Sequence, residues 1–415
     1  MRSRCTAQDR WQENLALVIK IALSDDVDTQ DTYKEVNDSV YQSQDIIKFN
    51  VKMNRYYAIF LIIFFAACVD RIDFATPKAD VQIVLEGMIS DEPGPYTIKM
   101  YRSRPLGTDL DRLVPVRFAK ITLLDDSGNA EPYKEVSDGV YQTTGLIRGE
   151  VGKNYHISLV TSEGKIYESV PEKIFPVGEV EKIYSEFEAR TVLQEGKEVP
   201  QNRFNIFMDS KGVPGSGSLV RWKSTGTYKV ETFPQLRTRR VEGGVVPDPY
   251  PCSGYIVREG RLVKDKDCEC CICWVNETEN VPQVSDDQFI IGSGFKHAKV
   301  GEVLINGRTF YEKYRVEIAQ LSLTQRTFTY WKLIKAQKQG AGSLFQPPSA
   351  KIYGNLKGIN TAEEMIGLFW ATAIKKKSIF INRQDVPYLI ARIDTLKAPC
   401  KFFTNSTNEQ PSFWK

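Results

Sequence analysis

The chain holds 415 residues, a length that suits roughly two or three domains. Charged residues make up 26% and the hydrophobic set 42%, ordinary globular proportions that exclude a disordered chain and a polytopic membrane protein. Lys and Arg number 55 against 52 Asp and Glu, and a net charge of +3 argues against a nucleic-acid surface. Only two histidines occur, His156 and His297, far apart in sequence, which excludes a multi-histidine metal site and gives His-based catalysis little support.

The first segment is an echo. Arg2-Ser3-Arg4 matches Arg102-Ser103-Arg104, and Tyr33-Lys34-Glu35-Val36 matches Tyr133-Lys134-Glu135-Val136. Val40-Tyr41-Gln42 matches Val140-Tyr141-Gln142, always at an offset of 100. One partial copy is not a solenoid, which needs a short period and at least about three repeats. Residues 1–52 are expected to be the remnant of a neighbouring related gene, with translation starting at Met53; the competing reading is a short N-terminal β-module. Met53-Asn54-Arg55 then opens a basic start to the apolar run 56–67. That run is shorter than the roughly 20 residues a spanning helix needs, so it reads as an export signal. Phe65-Ala66-Ala67-Cys68 looks like a bacterial lipoprotein box, cut before a Cys that then carries diacylglycerol. The expectation is a signal peptide at 53–67, lipidation at Cys68 and a lipid-anchored tether at 68–78.

Strand signals dominate after the tether. Val81-Gln-Ile-Val-Leu is followed by the turn Asp91-Glu-Pro-Gly-Pro, where Pro fixes φ and Gly accepts a positive φ. Tyr155, Ile157, Leu159 and Thr161 alternate with His156, Ser158 and Val160, the period of two of a half-buried strand. Ser162-Glu-Gly-Lys then closes a hairpin onto Ile166-Tyr-Glu-Ser. Closely spaced short strands over 79–176 predict an immunoglobulin-like β-sandwich. Residues 177–415 are expected to form a second, larger β-domain, beginning with Arg203-Phe-Asn-Ile-Phe-Met and Leu219-Val-Arg-Trp. Phe328, Trp331 and Ile334 at helical spacing, with Gly340 and Gly342 beyond, predict one packed helix near 324–339. Residues 367–373 and Ser378-Ile-Phe-Ile read as late strands. The fold class is all-β with one helix.

Apart from Cys5 and Cys68, six cysteines remain: Cys252, Cys268, Cys270, Cys271, Cys273 and Cys400. An even number suits an exported protein with disulfides, and six Cys leave fifteen connectivities open. Bridges among 252, the 268–273 cluster and 400 would staple the irregular loop 252–273 to the chain end, with Cys270 and Cys271 pairing elsewhere rather than with each other. Structural zinc wants paired knuckles or His partners, so no metal is expected. No cofactor is expected either.

Catalytic patterns are missing. Gly292-Ser-Gly-Phe-Lys-His lacks phosphate-loop spacing, no strand–helix unit follows the glycine loop at 212, and no Gly-x-Ser-x-Gly elbow occurs. The acid pairs Asp125-Asp126, Asp286-Asp287 and Glu363-Glu364 sit next to each other, so on a strand they would face opposite sides. Thr361 with Glu364 fits a capping box. Trp274, Trp331 and Trp370 are candidate ligand-stacking residues, although aromatic residues on β-scaffolds are more often core.

Several motifs taken in order resemble a known family: Cys68-Val-Asp-Arg-Ile-Asp-Phe, Val84-Leu-Glu-Gly-Met-Ile-Ser-Asp-Glu-Pro-Gly-Pro-Tyr96, Gly139-Val-Tyr-Gln, Cys273-Trp274, Tyr330-Trp331-Lys332, Gly354-Asn355-Leu, Gly367-Leu-Phe and Pro411-Ser-Phe-Trp. Together they look like the Bacteroidetes lipoprotein family called domain of unknown function 4249, from about residue 68 onward. The resemblance implies a lipoprotein of the cell outer membrane, on its periplasmic or its surface face, encoded beside a SusC-like TonB-dependent receptor. The implied role is a non-catalytic accessory subunit in nutrient uptake or envelope assembly, with a β-barrel receptor as partner. The alternative is a module that captures a glycan or peptide directly; a glycoside-acting enzyme stands behind both. No nucleic-acid partner is expected.

Overall fold

A computed structural model describes residues 81–103, 113–213, 219–285, 290–291, 294–340, 352–390 and 395–415. The echo at 1–52, the signal segment, Cys68, the tether, Asp286-Asp287 and parts of both glycine loops lie outside the described residues. Among the described residues, no helix is long and apolar enough to cross a membrane.

The described chain is mostly strand, as its period-two patterning predicts. The first sandwich has two sheets. One holds Ile83–Ser90, Thr97–Arg102, Val140–Gln142 and Lys134–Ser137; the other holds Ile166–Ser169, Asn154–Val160, Lys120–Asp125 and Ala130–Pro132. Their inward residues are the expected ones. Tyr155, Ile157 and Leu159 are fully buried and meet Leu85, Ile98 and Tyr141 across the core.

Two strands of this sandwich come from the far end of the chain. Met365–Thr372 lies parallel to Ile83–Ser90 over its whole length, from Ile83↔Met365 to Ser90↔Thr372. Leu356–Gly358 extends the other sheet beside Ile166–Ser169. The boundary drawn at 176/177 is therefore crossed twice. The segment between is an insertion into the first sandwich.

That insertion, joined by Ile374–Asn382 and Ser406–Thr407 from beyond it, builds a second pair of sheets. A four-stranded sheet runs in the order Val180–Glu188, Arg203–Ser210, Gly294–Leu304, Ile290–Ile291. A larger sheet runs Ile374–Asn382, Lys313–Ser322, Val220–Glu231, Ile272–Thr278, Ser406–Thr407. Helix α1 (Gln325–Gly340) falls where its apolar spacing places it. The Thr324 hydroxyl accepts from the Thr327 N–H at 3.2 Å and caps its start.

The two halves meet at a corner one residue long. Met365–Thr372 belongs to the first sandwich, Ile374–Asn382 to the second, and only Ala373 separates them. Ala373 N donates to Ser322 Oγ at 2.8 Å, Ser322 N to Ala373 O at 3.1 Å, and Thr372 Oγ1 to Ser322 O at 2.9 Å. Ile374 N donates to Asp91 Oδ1 at 2.8 Å. Upstream, Asn355 clasps Phe369 as a strand would: Phe369 N donates to Asn355 Oδ1 at 3.0 Å, and Asn355 Nδ2 donates back to Phe369 O. Gly367 has a φ of 105°, and a Cβ there would sit 2.0 Å from Leu85 O, so only glycine lets the parallel pair close.

Helix α1 is tied to the first sandwich by Glu172, which is buried. Its Oε2 accepts from the Thr324 and Thr327 hydroxyls, and Arg326 lies 3.6 Å from its Oε1. Burial pushes its carboxyl up, beyond what these partners recover. The capping box expected at Thr361 and Glu364 does not form, because no helix follows; the Thr361 hydroxyl instead accepts from Glu363 N at 3.1 Å.

Glu131 shows how buried charge shapes the first sandwich. It is fully buried on the Ala130–Pro132 strand. Its carboxylate accepts backbone N–H bonds from Thr144 (2.7 Å), Gly145 (2.8 Å), Leu146 (3.1 Å) and Ile147 (2.6 Å), and one from the Thr144 hydroxyl at 2.8 Å. Burial opposes ionisation, but these donors outweigh it and hold the carboxyl below the ordinary glutamate range. The folded pKa is thus below the unfolded one. The stability Glu131 contributes is complete above the unfolded value and disappears as pH falls through the folded value. Glu131→Gln should cost about 2–3 kcal/mol at neutral pH and flatten the acid limb of the stability curve. Urea titrations at neutral and acidic pH check this; an unchanged pH dependence would contradict it.

Candidate functional site

Val220–Glu231 and Ile272–Thr278 are antiparallel neighbours, paired from Thr225↔Thr278 to Glu231↔Ile272. A short turn would join them. The chain instead travels through residues 232–271 before returning. Connections beyond about 15 residues are uncommon in compact domains and usually carry function.

This excursion forms a cap made of two separate β-ribbons. Thr238–Val241 pairs with Gly244–Pro247, and Tyr255–Arg258 pairs with Arg261–Lys264. The second ribbon turns on Glu259 and Gly260, whose φ values of 48° and 73° suit the tight turn that matches strand twist. Neither ribbon joins another sheet among the described residues. An isolated two-stranded ribbon is marginal in water, so something else must hold the cap.

Disulfides hold it. Cys252 pairs with Cys270, Cys268 with Cys271, and Cys273 with Cys400. The six expected cysteines are all used, and Cys270 and Cys271 each pair elsewhere. Cys400 N also donates to Cys270 O at 3.0 Å, and Thr232 N to Cys271 O at 2.7 Å. Two bridges thus brace the cap internally, the third ties the strand that follows it to the chain end, and backbone hydrogen bonds join the cap base to that end.

The cap surface mixes arginine with aliphatic side chains. Arg239, Arg240, Arg258 and Arg261 are exposed, and none has an ion-pair partner among the described residues. Arg258 and Arg261 stand directly opposite each other, a like-charge pairing that destabilises a ribbon. Val245 is 62% exposed, and Val257 and Val263 are exposed too. At the ribbon base the Arg237 guanidinium lies 4.4 Å over the Tyr250 ring.

The three tryptophans proposed for ligand stacking lie elsewhere in role. Trp274 and Trp370 are buried, and Trp331 is half-buried in the small core beneath α1. Trp331 meets Trp370 edge-on at 6.1 Å, while the Arg221 guanidinium lies 3.7 Å over its ring. The rings of Trp274 and Trp370 are interior, where each removes more apolar area from water than a surface position allows.

A polar groove of about 520 Å³ runs between the two sheets of the insertion, lined by Ser224, Glu277, Glu279, Lys299, Glu302 and Tyr314. Each acid there is already engaged. Glu277 accepts from the Tyr314 hydroxyl at 3.0 Å, Glu279 from Arg221 at 2.7 Å, and Glu302 from Arg203 at 2.6 Å. Burial and then Glu277 push the Tyr314 hydroxyl's pKa up. Arg203 holds the Glu302 carboxyl low against the opposing effect of burial.

These features define the class as a β-rich, disulfide-stapled protein of two interlocked sandwiches with one packed helix among the described residues. Residues 69–378 match the family described as Domain of unknown function (DUF4249), and the chain belongs to that family. No curated protein matches it.

Sequence reading found the cap through its cysteines but missed its arginines, because cross-strand opposition is visible only once register is known. The Cys273–Cys400 bridge closes 127 residues, and loop entropy assigns it roughly 4–5 kcal/mol. The Cys268–Cys271 bridge spans 3 and warrants about 2 kcal/mol by the same reasoning. Paired Cys→Ala variants, compared by urea unfolding, should rank in that order. Equal losses would contradict the stapling role given to Cys400.

Proposed function

We propose that this chain is a non-catalytic outer-membrane lipoprotein that docks its disulfide cap onto a partner, a SusC-like TonB-dependent β-barrel receptor. The observation that carries this reading is the cap. A long excursion between adjacent strands, braced by two internal bridges and flanked by a third, presents unpaired arginines beside exposed valines. Arginine is enriched in contact hot spots, and a pre-stiffened surface loses little entropy on docking.

The family match begins at residue 69, directly after Cys68, which supports reading Cys68 as the first residue of the processed chain. Between Cys68 and Ile83 the chain can reach at most about 50 Å. Anchoring confines the protein to the membrane plane, so even a weak contact with a barrel is populated by raised effective concentration.

Affinity purification from native outer membranes, followed by mass spectrometry, tests the reading. The wild-type chain should bring down a barrel receptor, and Arg258→Glu with Arg261→Glu should reduce the recovered receptor at least several-fold while leaving the anchor intact. Cys68→Ser should release the protein from the membrane fraction and change its processed mass. A wild-type chain recovered without a barrel would overturn the docking role, and an unmoved Cys68→Ser protein would overturn the anchor.

A further inference from the structure

We propose that the outer face of the four-stranded sheet is a binding platform for a neutral, pyranose-containing glycan, built on Tyr184, Phe207 and His297. The inference is independent of the cap and of the barrel partner.

The inner face of this sheet is core: Ile183, Ile206, Met208 and Val300 are buried. The outer face carries three rings. Tyr184 and Phe207 are direct cross-strand partners with centroids 6.0 Å apart. His297 stacks on Phe207 at 4.1 Å with only 6° between planes, and lies 5.9 Å from Tyr184.

His297 is placed there by a distortion. Pairing runs Met208↔Ala298 and then Ser210↔Phe295, so Lys296 and His297 together oppose Asp209. Such a bulge re-aims a side chain. His297 adopts φ 51°, in the left-handed region that non-glycine residues avoid. Asp209 Oδ1 accepts the His297 N–H at 2.8 Å and fixes the backbone. The Tyr184 hydroxyl lies 2.9 Å from His297 Nδ1 and 3.4 Å from the same Asp209 oxygen. Yet the imidazole side chain remains 58% exposed. Strain held around an exposed ring stabilises no core, and observed strain of this kind is a pointer to function.

The surrounding chemistry selects the ligand class. The exposed His297 ring, backed on one side by Phe207, is the one that offers a face to the C–H side of a sugar. With Nδ1 held by Tyr184, Nε2 has no partner among the described residues. Glu186 Oε1, 3.9 Å from Nδ1, supplies an acceptor at the ring's other edge. Two of the cations are already balanced: Lys296 pairs with Glu181 at 2.8 Å and Lys299 with Glu302 at 3.5 Å. The exposed Lys182 ammonium rests 4.9 Å over the Tyr184 ring, on the electron-rich face that polarised C–H groups also favour. A balanced rim offers no net field to an acidic glycan or to a nucleic acid, and rings with hydroxyl-matching groups suit a neutral sugar.

With two histidines in the chain, imidazole-labelled protein gives a two-residue spectrum with an internal control. His156 lies in the first sandwich, on the Asn154–Val160 strand. The full chain, labelled at histidine and held in a phosphocholine detergent, is titrated with neutral hexasaccharides of glucose, mannose and xylose. The expected result is a saturable shift of the His297 signals with at least one of them and none of His156. Phe207→Ala should weaken that binding about tenfold. Tyr184→Phe keeps the ring and removes the hydroxyl, so it should weaken binding less; an unchanged His156 signal reports that both variants are folded. A His297 signal unmoved by every neutral hexasaccharide, or a shift that survives Phe207→Ala undiminished, would overturn the proposal.

Discussion

The parallel pairing of Ile83–Ser90 with Met365–Thr372 is the constraint on which the rest of the molecule depends. It makes the first sandwich wait for residues synthesised after most of the second, whose Ile374–Asn382 and Ser406–Thr407 strands follow later still. Ala373 then turns the chain into Ile374–Asn382, which pairs with Lys313–Ser322 from Leu321↔Ile374 to Lys313↔Asn382. One continuous stretch therefore supplies a strand to each half. The junction has no loop in which a hinge could sit, and Ser322, Asp91 and Asn355 satisfy its polar groups. Such a joint transmits force rather than absorbing it.

Several motifs that make the chain resemble its family are the mechanics of this joint. Asn355 stands in for a strand edge, and Gly367 removes the Cβ that would strike Leu85 O. Gly354 lies equally tight, with the Gly367 carbonyl where its Cβ would be. The Tyr96 hydroxyl donates to Ser90 O at 2.8 Å and accepts from Gly149 N at 3.1 Å, holding the turn that precedes it. Tyr141, fully buried, donates to Val116 O at 2.8 Å. These residues specify a fold. They carry no chemistry of their own, which is why the motifs spoke clearly about architecture and weakly about a ligand.

Much of the architecture was legible because burial imposes a period. Tyr155, Ile157 and Leu159 face inward as their alternation requires, and α1 begins within a residue of its expected start. What escaped was pairing. Gly367-Leu-Phe-Trp reads as a strand, but nothing local says that its neighbour lies some 280 residues upstream. Strand register likewise hid the Arg258–Arg261 opposition. The Cys framework was legible in membership and not in connectivity, since loop closure depends only weakly on length. Trp274, Trp331 and Trp370 attracted a binding role by type alone; Trp274 and Trp370 are buried, and Trp331 is half-buried against the small core. His297 gave no signal, because a left-handed φ at a bulge leaves no composition trace. The surfaces most suggestive of function are thus those where local rules are broken.

The central claim is that the two sandwiches are one cooperative body locked at residues 365–382. Native-state hydrogen exchange, read along the whole chain, tests it most directly. Amides of the 83–90, 365–372 and 313–322 strands should exchange only through global unfolding, with one common free energy and one common denaturant dependence. A first sandwich that opens at lower free energy, while the strands of the second remain protected, would contradict it.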